Sequence, residues 1–202
     1  MNKSYKSYRR YYRLARFFIG IFYRIAVTGT ENIPDGACLI CANHSSNIDP
    51  FLMAFAFGIN RQLHIIAKAE IFKIPVIRTI LRKLGMISVD RRTLDLATVK
   101  ASLGYLKNNE IVLIFPEGTR VSDDDASAAK IGAIKLAERA GAPIIPVFIP
   151  RKKPLFRKVS IQIGQPYTVE KKSGKLSQKE YAALTDELME RIKGLGVTRQ
   201  GA

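Results

Sequence analysis

A chain of 202 residues is long enough for one domain with a substantial buried core and short for two. Its 47% hydrophobic content argues against a disordered or fibrous chain. The charge is unusual, because 33 Lys and Arg residues against 17 Asp and Glu give a net charge of +16. Such a charge attracts polyanions: nucleic acid, an anionic lipid surface, or an acidic carrier protein or cofactor.

The first 25 residues predict one basic, aromatic, amphipathic helix. Its apolar stripe at helical spacing consists of Leu14, Phe17, Phe18, Ile21, Phe22 and Ile25. The uncharged run 17–23 is too short to span a bilayer, and the segment lacks a signal-peptide cleavage pattern. Two interpretations stay open: the stripe packs on the domain, or the helix lies in the headgroup region of an anionic membrane. We prefer the second.

After this helix, short β-branched runs alternate with helical patterns. Strands are predicted at 24–29, 37–42, 63–68, 85–90, 110–115, 143–149 and 158–163, and helices at 50–59, 71–84, 94–108, 126–140 and 178–193, the last capped by Ser177. Several strands are apolar on both faces, which is typical of parallel strands between helix layers. We therefore expect a single α/β domain at 26–202, with a mostly parallel central sheet flanked by helices, after the N-terminal helix at 1–25.

Cys38 and Cys41 form a C-x-x-C pair inside the second predicted strand. Elsewhere this spacing indicates a redox or zinc site. The chain has no second cysteine pair, so we interpret the two as small, reduced core residues. No disulfide and no metal site are predicted.

Active sites in open α/β sheets gather where loops leave the carboxyl ends of strands. The exit from the second strand reads N-H-S-S-N-I-D-P at 43–50. Taken singly, Asp49 before Pro50 is a helix cap, and His44 is a polar loop residue. Together, a histidine and a carboxylate one turn away match a general base and the group that orients it. A bound alcohol could then be the nucleophile without a serine or cysteine of the protein.

The exit from the fifth predicted strand reads P-E-G-T-R at 116–120. Glycine lets the backbone approach a ligand, and Thr119 and Arg120 offer donors suited to a phosphate. A tight turn with a surface Glu–Arg pair is the alternative. Two further exits carry Lys68 and Arg91. Four exits thus present a base, an acid and several cations toward what we expect to be one pocket.

Four sequence blocks carry a family resemblance: NHSSNIDP at 43–50, GMISVDR at 85–91, FPEGTR at 115–120 and IIPVFIP at 144–150, with AKAEIF at 67–72 and AKIGAIKLA at 129–137 between them. They resemble the glycerolipid acyltransferases, and most closely the short 1-acyl-sn-glycerol-3-phosphate acyltransferases. The resemblance covers roughly residues 25–165, with the four blocks in the family's order and near its usual spacings.

The resemblance implies that His44 deprotonates the acceptor hydroxyl, the 2-OH of a lysophosphatidate. That hydroxyl attacks the thioester of an acyl donor directly, with no acyl-enzyme, while Asp49 fixes the tautomer of His44. The expected substrate-binding residues are Lys68, Arg91 and Arg120 at the acceptor's phosphate, with Glu117, Gly118 and Thr119 forming the loop beside it. No metal or redox cofactor is implied, since acyl-coenzyme A or acyl-acyl carrier protein is a cosubstrate.

The expected partners are this donor, a lysophospholipid acceptor and an anionic membrane surface, without nucleic acid. We expect a peripheral or monotopic protein on the cytoplasmic face of a membrane, with no spanning helix. One alternative is acylation of glycerol-3-phosphate or another lysolipid. The other is a non-enzymatic basic module that binds nucleic acid, although the sequence shows no nucleic-acid motif.

Overall fold

The computed structural model of the chain describes residues 3–68, 72–73, 75–89, 96–118, 131–170 and 176–197. The helices in this part are α1 (Lys3–Phe22), α2 (Asp49–Phe57), α3 (Pro75–Lys83), α4 (Leu96–Lys107), α5 (Gly132–Ala140) and α6 (Gln178–Val197). The strands are β1 (Arg24–Thr28), β2 (Cys38–Ala42), β3 (Leu63–Lys68), β4 (Ile87–Val89), β5 (Ile111–Ile114), β6 (Ile144–Phe148) and β7 (Lys158–Ile163).

These strands form one sheet in the order β1-β7-β6-β2-β5-β3-β4. The block β6-β2-β5-β3-β4 is parallel throughout. β7 runs antiparallel to β6 and parallel to β1. The predicted α/β domain with a mostly parallel sheet is therefore confirmed. Because the block is parallel, its five strands all end at the same edge of the sheet.

Helices cover both faces of the sheet, which is why the central strands are apolar on both sides. On one face, Ile40 of β2 belongs to a buried cluster with Leu52 and Met53 of α2. On the other, Leu39 clusters with Ala137 of α5 and with residues of α6. Every residue of β2 is buried. The loop that carries His44 and Asp49 therefore leaves the best-shielded strand of the sheet.

The two cysteines of β2 are free and buried. They belong to different clusters, Cys38 to that of α2 and Cys41 to that of α5 and α6, because residues three apart in a strand point to opposite faces. Burial raises the pKa of Cys38 to about 11 and raises the pKa of Cys41 further. Both thiols thus behave as the small core residues that we predicted.

Helix α1 packs on the domain through a face that the sequence pattern did not single out. Tyr8 is 1% exposed, and Tyr12 meets Phe55 edge-to-face with ring centroids 5.3 Å apart. The predicted helix at 1–25 ends at Phe22, and Ile25 lies in β1. No helix of the described chain is long and apolar enough to cross a membrane.

The other five residues of the predicted stripe are exposed: Leu14, Phe17, Phe18, Ile21 and Phe22. The interpretation in which the stripe packs on the domain is therefore wrong for these five residues. At the other end of the chain, the predicted cap of α6 is confirmed. Ser177 and Glu180 form a reciprocal capping box, with the Ser177 N–H 2.8 Å from Glu180 Oε2 and the Glu180 N–H 3.2 Å from Ser177 Oγ.

A glycine substitution tests the junction between β1 and β7. Gly29 has a φ of +78°, and a Cβ there would lie 2.0 Å from the carbonyl oxygen of Ile163. Gly141 has a φ of +62° and open space around it, so it is a matched control. Gly141→Ala should lower the free energy of unfolding by about 1–2 kcal/mol through backbone strain. Gly29→Ala should lower it by about 1–3 kcal/mol more, because the clash displaces backbone.

Denaturant unfolding of both variants, compared with the parent, measures the difference. Equal losses for the two substitutions would contradict the close approach of Gly29 to β7.

Candidate active site

The carboxylate of Asp49 has no exposed surface and organises the loop that follows β2. Its Oδ2 atom accepts hydrogen bonds from the backbone N–H groups of Ser45 and Ser46, each at 2.8 Å. The sequence predicted Asp49 as the cap of α2, and this is wrong: Ile48 is the cap residue, without a side-chain hydrogen bond. Asp49 is the first residue of α2, and its side chain accepts N–H groups of the loop before the helix instead of those of the first helical turn.

His44 lies beside this carboxylate, as predicted. Its Nδ1 atom is 3.1 Å from Asp49 Oδ2, where an Nδ1–H donates to the carboxylate. The imidazole stacks on Phe115, with ring centroids 4.2 Å apart and planes inclined by 22°. The contact of Nδ1 with Asp49 and the stacking on Phe115 thus fix the orientation of the His44 ring. In this tautomer, Nε2 is the nitrogen with a free lone pair, which suits it to accept a proton.

Glu117 joins the exits of β5 and β2. It is buried, and its Oε2 atom accepts the backbone N–H of His44 at 2.8 Å. Its Oε1 atom lies 3.4 Å from a guanidinium nitrogen of Arg151. Burial raises the pKa of Glu117, and the His44 N–H and the Arg151 charge oppose that rise. Glu117 therefore holds the backbone of His44 in place.

The exit of β6 is tied to the same loop through Asn43. The Asn43 side chain donates to the carbonyl of Ile149 at 2.8 Å and accepts the Ile149 N–H at 2.8 Å. This pairing extends the contact between neighbouring parallel strands β2 and β6 by one residue beyond the sheet. It brings the segment after β6, including Arg151 and Lys153, to the site.

Lys153 is one of the residues of the site that the sequence did not predict. Its Nζ atom lies 2.9 Å from Asp49 Oδ1, and its side chain is 4% exposed. Burial acts to raise the pKa of Asp49, but the hydrogen bond with His44 and the ammonium of Lys153 outweigh it and hold that pKa below its usual value. The sequence offered one signal: IIPVFIP at 144–150 is a strand, so the segment after it is also a strand exit.

The remaining predicted substrate-binding residues are only partly placed. Gly118 follows Glu117 in a turn, with a φ of +67° that favours glycine. Lys68 is the last residue of β3 and pairs in register with Val89 of β4, so its backbone lies at the same sheet edge as His44. The predicted residues Arg91, Thr119 and Arg120 lie outside the described residues. Within the described part of the chain, no group of three or more His, Cys, Asp and Glu side chains could hold a metal ion.

A buried histidine beside an ionised carboxylate, at the strand exits of an α/β sheet, is an arrangement that general-base catalysis can use. Comparison with known proteins identifies the kind of enzyme. The family model described as Acyltransferase matches residues 24–150. This chain therefore belongs to the acyltransferase family, and the matched segment contains His44, Asp49 and Glu117.

Similar proteins include the 1-acyl-sn-glycerol-3-phosphate acyltransferase of Bacillus subtilis, 33% identical over 177 residues that cover 85% of this chain and 87% of that protein. The enzyme of the same name from Borreliella burgdorferi is 34% identical over 148 residues, covering 71% of this chain and 57% of that protein. Among solved structures, the 1-acyl-sn-glycerophosphate (LPA) acyltransferase PlsC from Thermotoga maritima is similar, with a TM-score of 0.68 and 27% identity, covering 96% of this chain and 79% of that one.

Glu117→Ala tests whether the buried carboxylate holds the loop of His44. The substitution leaves the buried His44 N–H without its acceptor, so the free energy of unfolding should fall by about 1–3 kcal/mol. Glu187→Ala is the control, because its carboxylate pairs with Arg191 at an exposed position on α6. That change should stay within about 0.5 kcal/mol. Thermal or urea unfolding of both variants makes the comparison, and a Glu117→Ala variant as stable as the control would refute the structural role.

Proposed function

We propose that this chain transfers a fatty acyl group from an acyl thioester to the free hydroxyl of 1-acyl-sn-glycerol-3-phosphate, giving phosphatidate for phospholipid synthesis. The observation that carries the proposal is the His44–Asp49 pair, buried at the sheet edge inside the segment that the Acyltransferase model matches. The names of the similar proteins favour lysophosphatidate as the acceptor.

In the proposed reaction, Nε2 of His44 takes the proton of the acceptor's 2-hydroxyl as its oxygen attacks the thioester carbonyl. The tetrahedral intermediate collapses and expels the thiolate of the donor, which receives the proton back from the imidazolium of His44. The acyl group passes directly between the substrates, so no acyl-enzyme forms. Asp49 accepts the Nδ1–H throughout and stabilises the imidazolium while it exists.

We further propose that Lys68, Arg91 and Arg120 bind the acceptor's phosphate, with Gly118 and Thr119 shaping the loop beside it. The strand order supports this, since β3, β4 and β5 run parallel to β2 and end at the edge where His44 lies. The donor is acyl-coenzyme A or acyl-acyl carrier protein. An acceptor competition among lysophosphatidate, glycerol-3-phosphate and other lysolipids separates the proposed acceptor from its alternatives. Membership of the acyltransferase family leaves the nucleic-acid-binding alternative without support.

His44→Ala should lower the rate of phosphatidate formation by about 10²–10⁴-fold, because loss of a general base has that effect. The chain's second histidine supplies the control. His64 is also buried, but it pairs with Glu110 and stacks on Tyr105 at the start of β3, the end of that strand opposite to the sheet edge of His44. His64→Ala should lower stability and keep kcat near that of the parent at a temperature where it is folded.

The assay uses purified protein, labelled lysophosphatidate and each donor type in turn, with circular dichroism to confirm folding. A His44→Ala rate within threefold of the parent would show that His44 is not the base.

We also propose that an exposed apolar surface docks the enzyme on an anionic membrane. This docking surface consists of Leu14, Phe17, Phe18, Ile21 and Phe22 of α1, with Leu155 and Phe156 of the loop between β6 and β7. The two parts are joined, since the Phe156 N–H donates to the Phe22 carbonyl at 2.7 Å and the two rings lie 5.7 Å apart. An apolar area of this kind marks a protein or membrane contact.

The positive charge of α1 favours an anionic membrane as the partner of the docking surface. The described part of α1 carries six cations and no acidic residue: Lys3, Lys6, Arg9, Arg10, Arg13 and Arg16. The cations lie in the first four turns of the helix, and the exposed apolar residues lie toward its C-terminal end. Such a helix inserts its apolar half while the basic half meets anionic headgroups. The acceptor, a lysolipid, would be present at that surface.

Paired substitutions test the docking surface without disturbing the fold. Deletion of α1 is unsuitable, because it would expose the apolar side chains of Phe55 and Leu84 that Tyr8 and Tyr12 contact. Phe17→Ser and Phe156→Ser should each weaken binding to phosphatidylglycerol vesicles about fivefold to tenfold, since each removes apolar area from the bilayer interface. Val197→Ser is the control, because it removes an exposed apolar side chain of α6 on the other face of the sheet.

Vesicle cosedimentation at low and high salt gives the readout. Binding should be strongest on anionic vesicles at low salt. Equal binding of Phe17→Ser, Phe156→Ser and Val197→Ser would show that this surface does not dock on lipid.

A further inference from the structure

We propose that Lys153 is a positioning residue of the catalytic pair, which acts through Asp49 to keep that carboxylate ionised and correctly placed against His44. The proposal rests on the function proposed above, since it assigns Lys153 a part in the same reaction. It adds a third member to the His44–Asp49 pair, from a segment distant in sequence.

The ammonium of Lys153 is enclosed by oxygen atoms. Nζ lies 2.9 Å from Asp49 Oδ1, 2.7 Å from Ser45 Oγ and 3.4 Å from the carbonyl of Arg151. The ammonium thus donates two hydrogen bonds, to Ser45 Oγ and to the Arg151 carbonyl, and forms an ion pair with Asp49. A lysine side chain that is 4% exposed is rare unless it is paired in this way, because burying its charge is costly.

The two oxygens of Asp49 have separate partners. Oδ2 accepts from His44 and from the backbone of Ser45 and Ser46, whereas Oδ1 faces Lys153. While His44 is neutral, before it takes the substrate's proton, Lys153 is the described cation in contact with this buried carboxylate. Removal of this ammonium would raise the pKa of Asp49, because it is one of the groups that oppose the effect of burial.

The other charged groups at the site are already matched. Glu117 lies against the backbone of His44, and Arg151 pairs with Glu117. Two ion pairs thus flank His44. The pair of Lys153 contacts its ring through Asp49, and the pair of the partly exposed Arg151 contacts its backbone through Glu117. Lys153 belongs to the first, so its removal should change proton transfer, whereas Glu117 acts on the placement of the loop.

The test measures the pH profile of kcat/KM for Lys153→Met, Lys153→Arg and Lys152→Met. Lys153→Met should lower kcat/KM about 10–100-fold at pH 7, because Asp49 loses the counter-charge that places it against His44. It should also move the acid limb upward by about one pH unit, because a positive charge that opposes protonation of the His44–Asp49 pair is gone. Lys153→Arg keeps the charge and should keep the acid limb of the parent. Lys152 is exposed in the same segment, so Lys152→Met removes an equal charge and should match the parent.

A double-mutant cycle separates a role through Asp49 from a merely structural one. In an Asp49→Asn background, adding Lys153→Met should change kcat by less than twofold, because the carboxylate that Lys153 serves is already neutral. The double variant removes both charges of the ion pair, so neither is left buried without its partner. Its kcat can therefore be compared with that of Asp49→Asn even where Lys153→Met alone does not fold.

An unchanged Lys153→Met profile, an equal fall at every pH, or a full further loss in the double variant would each overturn the proposal. Failure of the proposed function looks different. It would appear as a parent that forms no phosphatidate, or as a His44→Ala variant that retains the parent's rate.

Discussion

Asp49 carries its charge without any contact with solvent, and the site is built around that constraint. A buried carboxylate is tolerated when hydrogen bonds and a counter-charge replace its water. Here two backbone N–H groups and the imidazole of His44 donate the hydrogen bonds, and the ammonium of Lys153 is the counter-charge. Because these groups come from two separate segments, satisfying Asp49 brings the loop after β2 and the segment after β6 together. The same contacts leave the Nε2 atom of His44 as its proton acceptor.

The sheet provides the frame for these contacts. β2 lies between β6 and β5, and all three are parallel, so their exits are adjacent at one edge. Asn43 joins the first exit to the backbone of Ile149, and Glu117 joins it to the exit of β5. The position of His44 is thus fixed from both neighbouring strands. This arrangement orients a histidine that lies in a loop.

The sequence predicted the parts of the molecule that depend on local pattern. Apolar runs between turn signals located every strand of the described residues, and the spacing of His44 and Asp49 located the pair. Lys153 was missed because its contact with Asp49 depends on β6 lying next to β2, and strand order is not encoded in the alternation of strands and helices. The buried face of α1 was missed for another reason. That helix has apolar residues on two faces, and the positions of Phe55 and Leu84 in the folded domain select Tyr8 and Tyr12 for burial.

We infer that Asp49 holds His44 as the Nδ1–H tautomer, with Nε2 free to accept a proton. Nitrogen NMR of protein labelled with ¹⁵N-histidine tests it directly. The chain has two histidines, so a His64 variant assigns the signals. At a pH where the imidazole of His44 is neutral, we expect its proton on Nδ1, and we expect Asp49→Asn to disturb this preference. A neutral His44 with its proton on Nε2 would contradict the claim, because that nitrogen could not act as the base.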